Sequence, residues 1–326
     1  MNLLHKKIHH LREILGQKPA ITLLYNALKK GKLAHAYLFC GPKGVGKKST
    51  AIAFLYHLFC QINSDEPCGS CLACKKIDRE NHPDIYKVSP EIKDIKIDTV
   101  RSVERFLRTG PIEGPYKVIL FEEAEKLNPE AGNALLKSLE EPPPYALFIL
   151  LTEHPNQILP TIISRSQIVR FGPLPQGLIK EYLINSLRFE EDYAQSLAEL
   201  SQGSLKRALD IAESGVLEEL NAFIKASLEK NLSHRLKVIE KLAKQDKDRL
   251  ELFLYLLALW IWSSYLKRKT ENFYPQALPE MTYQGDPLKL FSIITQANHA
   301  LESLLHKELT LLMLSQNLVE LNKSSL

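Results

Sequence analysis

Apolar residues follow two regimes along this chain. In the first half they gather in short continuous runs, each suited to a buried strand. These runs are Tyr37-Leu38-Phe39, Ile85-Tyr86-Lys87-Val88, Lys117-Val118-Ile119-Leu120-Phe121, residues 147–151 and Ile168-Val169-Arg170-Phe171. Between them, apolar positions recur at helical spacing. Residues 4–15 read as an amphipathic helix, interrupted by Gly16-Gln17-Lys18-Pro19, and residues 20–30 resume the pattern with Leu23, Leu24 and Leu28 on one side. A further helix begins at Asp98 and ends at Gly110-Pro111. Another spans 130–141, with Asn128 as its N-cap, Pro129 at its first turn and Pro142-Pro143-Pro144 as its stop. Strands alternating with helices predict a parallel α/β sheet.

The second regime is helical throughout. Gly172-Pro173-Leu174-Pro175 reads as a linker, and residues 176–212 as helix with a break at Gln202-Gly203-Ser204. Beyond Gly215 the pattern predicts only helices, including 250–266 and 293–321, while 268–287, with three prolines and Gly285, reads as a loop. A chain of 326 residues is long enough for two or three domains. The expected division is an α/β domain at 1–171, a small helical domain at 172–214 and a second helical domain at 215–326.

Composition excludes more than it identifies. Hydrophobic content of 45% and charged content of 25% are those of an ordinary globular chain. A net charge of +4 is too small to signal nucleic-acid binding by itself. Residues 1–15 interleave charges and histidines with leucines, unlike a secretion signal. The longest apolar run, 252–262, is shorter than the ~18 residues of a membrane span and predicts a buried helix. Five cysteines in such a chain point to a reducing cytoplasm, where clustered thiols more often bind metal than form disulfides.

Three stretches carry candidate chemistry. In His35–Thr50 a strand runs into Gly41-x-x-x-x-Gly46-Lys47, with Gly44 between, and then into a helix. That is P-loop spacing: backbone N–H groups converge on a phosphate and the lysine reaches the outer phosphates. The residue after the lysine should be Ser or Thr, whose hydroxyl binds Mg²⁺, but here it is Lys48. Ser49 carries a hydroxyl about 100° further round the helix. The loop therefore has phosphate-binding geometry without a magnesium ligand, which predicts a site that binds nucleotide without efficient hydrolysis or stays empty. In the second stretch, the strand 117–121 delivers Glu122 and Glu123, an arrangement in which the first acid orients Mg²⁺ or its water and the second activates the attacking water. Glu122 stands where Asp is usual and is one methylene longer. In the third, Cys60, Cys68, Cys71 and Cys74 give C-x7-C-x2-C-x2-C, a set able to close a tetrahedral, structural Zn²⁺ site. Cys40 reads as a small buried residue, and His82 as a loop-fixing residue.

Together these residues resemble the AAA+ clamp-loader family of bacterial DNA polymerase III. The similarity runs from Leu15-Gly16-Gln17 and His35-Ala36-Tyr37-Leu38-Phe39 through the four cysteines. It continues through Asn133-Ala134-Leu135-Leu136-Lys137-Ser138-Leu139-Glu140-Glu141-Pro142-Pro143 to Ser164-Arg165-Ser166. The last third of the chain matches only in helical character. The resemblance implies an AAA+ domain with an inserted zinc module, a helical lid and a helical collar for oligomerisation. It implies that Arg165 is an arginine finger supplied in trans to ATP on a neighbouring subunit, with Ser166 where the family usually carries cysteine. It places the first sensor at Thr152 or Glu153 and the second at Lys206, after Gly203-Ser204-Leu205, where the family has arginine. Lys48, Glu122 and Lys206 all depart from a working ATPase while Arg165 is intact. That asymmetry implies a stator with weak or no ATPase of its own. It would join tau/gamma and delta subunits to load the sliding clamp on primed DNA, in the cytoplasm and away from membranes. Two alternatives stand beside it: an ATP-hydrolysing motor subunit in which Ser49 or water replaces the missing ligand, and a stand-alone DNA-binding AAA+ protein.

Overall fold

A computed structural model describes residues 8–62, 65–90, 94–229, 231–270, 275, 277–279, 283–302 and 306–323. Strands β1 (Ala36–Cys40), β2 (Ile85–Val88), β3 (Lys117–Phe121), β4 (Ala146–Thr152) and β5 (Gln167–Arg170) form one parallel sheet in the order β2-β3-β4-β1-β5. Helices α1 (Lys18–Lys29), α2 (Lys47–Phe59) and α3 (Leu72–Asp78) cover one face, and α4 (Ile97–Leu107), α5 (Pro129–Glu140) and α6 (Pro160–Ile163) the other. Side chains alternate across a strand, so β1 sends Tyr37 and Phe39 into the first layer and Ala36 and Leu38 into the second. Strands β3 and β4 divide in the same way. Burial on both faces is why these strands read as unbroken apolar runs. Asn128 caps α5 as its sequence requires, its Oδ1 accepting from the Ala131 N–H at 2.8 Å.

The register fixes what the sheet presents at its C-terminal edge. Cys40 lies beside Thr152, and Phe121 beside Leu150. The glycine loop after β1 and the acidic turn after β3 therefore flank the end of β4. Ligands of open parallel sheets bind along this edge.

The remaining helices are α7 (Gln176–Leu187), α8 (Glu191–Ser201), α9 (Leu205–Ser214), α10 (Val216–Leu228), α11 (Leu232–Ala243), α12 (Lys247–Thr270), α13 (Pro287–Glu302) and α14 (Lys307–Lys323). One continuous core runs through them, from Leu174, Ile179 and Leu197 to Phe223, Phe253, Trp260 and Leu318. The core has no break at Gly215, which turns α9 into α10 with φ +66°. Residues Lys247–Lys267 of α12 are long and apolar enough to cross a membrane by length and composition. Phe253, Leu256, Leu257 and Ile261 instead pack into this core, as the sequence predicts for a buried helix.

Several local expectations change. The helix expected at 4–15 is, among the described residues 8–15, a single 3₁₀ turn at Leu11–Glu13; residues 4–7 lie outside the description. The segment lies against α2 instead. Leu11 is fully buried and its N–H donates to His57 Nε2, so tertiary packing overrides the local periodicity. The helix expected at 293–321 is divided between α13 and α14. Arg188, in the left-handed region at φ +61°, adds a break between α7 and α8 that its sequence does not signal. The N-terminal end of the expected 268–287 loop belongs to α12, and much of the rest lies outside the described residues.

Candidate functional site

The loop between β1 and α2 has the shape its glycines predict. Gly44 sits at φ +76°, and a Cβ there would meet Ser204 Oγ at 2.2 Å. Only glycine fits, because the start of α9 lies directly on the loop: the Lys206 N–H donates to the Gly44 carbonyl at 3.4 Å. Lys47, the first residue of α2, is buried and folded back, with Nζ donating to the Gly41 carbonyl at 2.5 Å and the Pro42 carbonyl at 2.7 Å. Burial lowers the pKa of its ammonium, and the nearby carboxylates of Glu153 and Glu125 oppose that shift.

Lys48 and Glu122, the two residues that depart from P-loop chemistry, meet each other: Lys48 Nζ lies 2.7 Å from Glu122 Oε1. An ammonium thus occupies the carboxylate that would steer a magnesium ion. A divalent cation has no hydroxyl to bind at position 48 and a like charge beside it. The donor set does not fit Mg²⁺.

A cavity of about 430 Å³ opens over this loop. Its polar end gathers Gly44, Gly46, Lys47, Lys48, Ser49, Glu122, Glu123, Thr152 and Lys206. Thr152 is buried at the end of β4, its Oγ1 accepting from the His154 N–H at 3.0 Å. Lys206 faces Asp210, with Nζ 3.7 Å from Oδ2. Arg207 turns away, stacking 4.0 Å over the Tyr255 ring and donating to the Ser201 carbonyl. Of the expected site residues in this part of the chain, Gly41 and Arg165 are not among those lining the cavity.

Two parts of the cavity are missed by sequence reasoning. Its apolar wall comes from Ile8, Ile14 and Leu15 before α1 and from Leu174, Tyr182, Leu205 and Leu209 in the helical region. Contacts so distant in sequence leave no local signal. The other is Glu125. Glu123 adopts φ +52°, and the 3₁₀ turn that follows returns Glu125 to the cavity. Its Oε1 accepts from the Glu153 N–H at 3.2 Å, and its Oε2 is buried without a hydrogen-bond partner. The Glu122-Glu123-x-Glu125 spacing is the signal that could have found it.

Arg165 lies elsewhere, just after α6. Its Nη2 is 2.7 Å from Glu140 Oε1, and its Nη1 donates to the Thr161 carbonyl and Ser164 Oγ at 3.0 and 3.3 Å. The guanidinium remains about one-third exposed.

The four clustered cysteines converge, with all Sγ atoms within 4.8 Å of one another. Cys60 and Cys68 sulfurs are 3.7 Å apart, close to the ~3.8 Å that tetrahedral Zn–S bonds of about 2.3 Å require. Ser70 and Cys71 N–H groups point at Cys68 Sγ and pull its pKa down to about 6, favouring the thiolate a metal needs. Burial pushes the Cys74 thiol up. His82 is not in this cluster. Its Nδ1 accepts from the Asp84 N–H, so it fixes a loop as expected. Asp84 in turn accepts from the N–H groups of Ile112, Glu113 and Gly114 at 2.7–2.9 Å. Burial pushes the Asp84 carboxyl up, but these three donors outweigh it and hold its pKa below the usual carboxylate range.

Comparison with known proteins agrees with this geometry. The family described as "DNA polymerase III, delta subunit" matches residues 16–175. The DNA polymerase III subunit delta' of Bacillus subtilis is 34% identical over 257 residues, 78% of this chain and 72% of that protein. The subunit tau/gamma of Haemophilus influenzae is 35% identical over 210 residues, 63% of this chain but only 30% of that longer protein. Among solved structures, the Thermotoga maritima RuvB Holliday junction branch migration motor superposes with a TM-score of 0.50 at 17% identity, over 96% of this chain and 91% of that one. That likeness concerns the fold, which is AAA+: a P-loop on a parallel five-stranded sheet, followed by helices. On the similarity to the B. subtilis protein over 257 residues, the chain belongs to the delta' family of DNA polymerase III clamp-loader subunits, proteins of DNA replication.

Proposed function

We propose that this chain is a clamp-loader stator. It joins tau/gamma and delta subunits in the cytoplasm, helps load the sliding clamp on primed DNA, and lends Arg165 to ATP bound by a neighbouring subunit. Its own cavity holds a nucleotide with little or no hydrolysis. The Lys48–Glu122 ion pair carries this reading, because it occupies the groups that would organise magnesium for hydrolysis. The exposed position of Arg165, outside its own chain's cavity, supports a role in trans. An always-charged guanidinium suits that role, since it can stabilise charge on a transferring γ-phosphoryl group. Residues 1–171 serve as the AAA+ domain, 172–214 as a lid against the nucleotide, and 215–326 as the collar that holds subunits together. Zn²⁺ bound by Cys60, Cys68, Cys71 and Cys74 braces the module between α2 and β2. Four thiolates leave it no open coordination position, so its role is structural.

The test is ATP hydrolysis by the reconstituted loader. A stator loses turnover with Arg165→Ala and little with Lys47→Ala. The opposite pattern would mean that this chain hydrolyses its own ATP.

A further inference from the structure

The cavity over the glycine loop has the size of a small-molecule site, which typically spans roughly 300–1,000 Å³. One end is apolar and the other holds three ammonium groups, those of Lys47, Lys48 and Lys206. These three are not equivalent. Lys47 sits on loop carbonyls and Lys206 on its own helix, facing Asp210. Lys48 alone is bound to the carboxylate in the position of the magnesium-orienting acid.

In a P-loop site with a Ser or Thr after the lysine, the hydroxyl and the acidic residue share one divalent cation, which also bridges the outer phosphates. Here the two altered residues share an ammonium instead. Lysine at position 48 supplies the charge, and the extra methylene of Glu122 over aspartate extends the carboxylate toward it.

We propose that the Lys48 ammonium is a built-in countercation, so that this cavity takes a nucleoside polyphosphate free of divalent metal. The inference rests on the reading of the cavity as a nucleotide site and specifies which form of the nucleotide it accepts. Lys48 is half exposed, so its ammonium can contact a phosphate oxygen while Glu122 holds it in place. A metal-bound nucleotide would bring a second cation against that ammonium, with Glu122 already engaged. Glu123, Glu125 and Glu153 also line the cavity. Glu123 is exposed, and Glu125 has one oxygen on the Glu153 N–H and its buried Oε2 without a hydrogen-bond partner. They also temper the positive charge there, so the apolar wall of Ile14, Leu174, Tyr182 and Leu209 carries much of the affinity.

Titration calorimetry of ATP into the full-length chain tests this directly, once in excess EDTA and once in excess Mg²⁺. The expected result is binding in EDTA that weakens by ~10-fold or more in excess Mg²⁺, which depletes the metal-free nucleotide. Lys48→Thr restores a hydroxyl and removes the ammonium. It should weaken binding in EDTA by ~10-fold or more while making Mg²⁺ favourable. Binding in the wild-type chain that is equal in the two conditions, or that requires Mg²⁺, would overturn the countercation and leave the nucleotide site intact. Absence of ATP binding in both conditions would overturn the nucleotide site itself, and this inference with it.

Discussion

Two cations in the α/β region are each held by one glutamate at the same distance. Lys48 meets Glu122 and Arg165 meets Glu140, both at 2.7 Å. The pairs differ in where they sit. Lys48 and Glu122 line the chain's own cavity, where each neutralises the other's charge. Arg165 and Glu140 lie outside it, with the guanidinium about one-third exposed. The difference teaches that an ion pair's energy says little about its role. Both are partly exposed pairs of the kind worth about 0–1 kcal/mol to stability. What each does follows from what it excludes or presents.

The largest effect should come from breaking the outer pair at its cation. Arg165→Ala should remove hydrolysis at the neighbouring site it faces, by ~10³-fold or more, read as the loss of that site's share of the loader's ATPase. Lys47→Ala should change that rate little. Equal losses from both variants would erase the contrast between an inner site that binds and an outer one that assists.

The cysteine cluster provides a control held by geometry rather than by an opposed charge. Metal analysis should find one zinc per chain. Structural zinc contributes on the order of 10 kcal/mol in small zinc peptides, so Cys68→Ser should lose the metal and raise hydrogen exchange in α3. In an assembled loader it should leave the Arg165-dependent rate largely unchanged. A parallel collapse of that rate would show that the outer pair's geometry depends on this module.

How much of the contrast was legible in the sequence differs between its two sides. The glycine loop, both acids after β3, the four cysteines and every strand could be read, because each depends on a local rule: loop spacing, apolar runs, thiol spacing. Lys48 was visible as an anomaly, but its partner was not. The pairing depends on β3 and β1 lying on either side of β4, a fact of strand order rather than of sequence distance. The apolar wall was hidden for the same reason, since Ile8 and Leu209 come from opposite ends of the cavity's sequence span. Residues 8–15 were misread because Leu11 and Ile14 have helical spacing yet are buried against α2 by tertiary contacts. The break at Arg188 carries no glycine or proline to announce it.

A third acid sharpens the contrast by holding no cation. Asp84 is fully buried and satisfied by three backbone N–H groups. Its folded pKa lies below the unfolded carboxylate value of about 3.9, so its stabilising effect is complete above that pH and is lost as pH falls through the folded pKa. Acid unfolding of the wild-type chain should therefore steepen below about pH 4. Asp84→Asn should flatten that limb and cost roughly 1–3 kcal/mol near neutrality in denaturant titrations. An unchanged acid limb would assign the low-pH loss to other carboxylates.

The smallest change in stability, and the most discriminating for the comparison, belongs to Glu140. It contacts Arg165, and on the proposed reading it acts as a positioning residue. Glu140→Ala should shift thermal stability by less than about 1 kcal/mol. It should lower the loader's turnover by about tenfold, well short of Arg165→Ala, because the arginine keeps its charge and its bond to the Thr161 carbonyl but loses one of its supports. Glu140→Gln keeps a hydrogen-bond acceptor of the same length and should recover part of the rate, with KM for ATP unchanged, as expected for a group that orients the finger without binding the nucleotide. If Glu140→Ala leaves turnover untouched while Arg165→Ala abolishes it, the outer pair is a resting contact that docking discards. The arginine's orientation would then be set by the neighbouring subunit, and only the inner pair would be built into this chain.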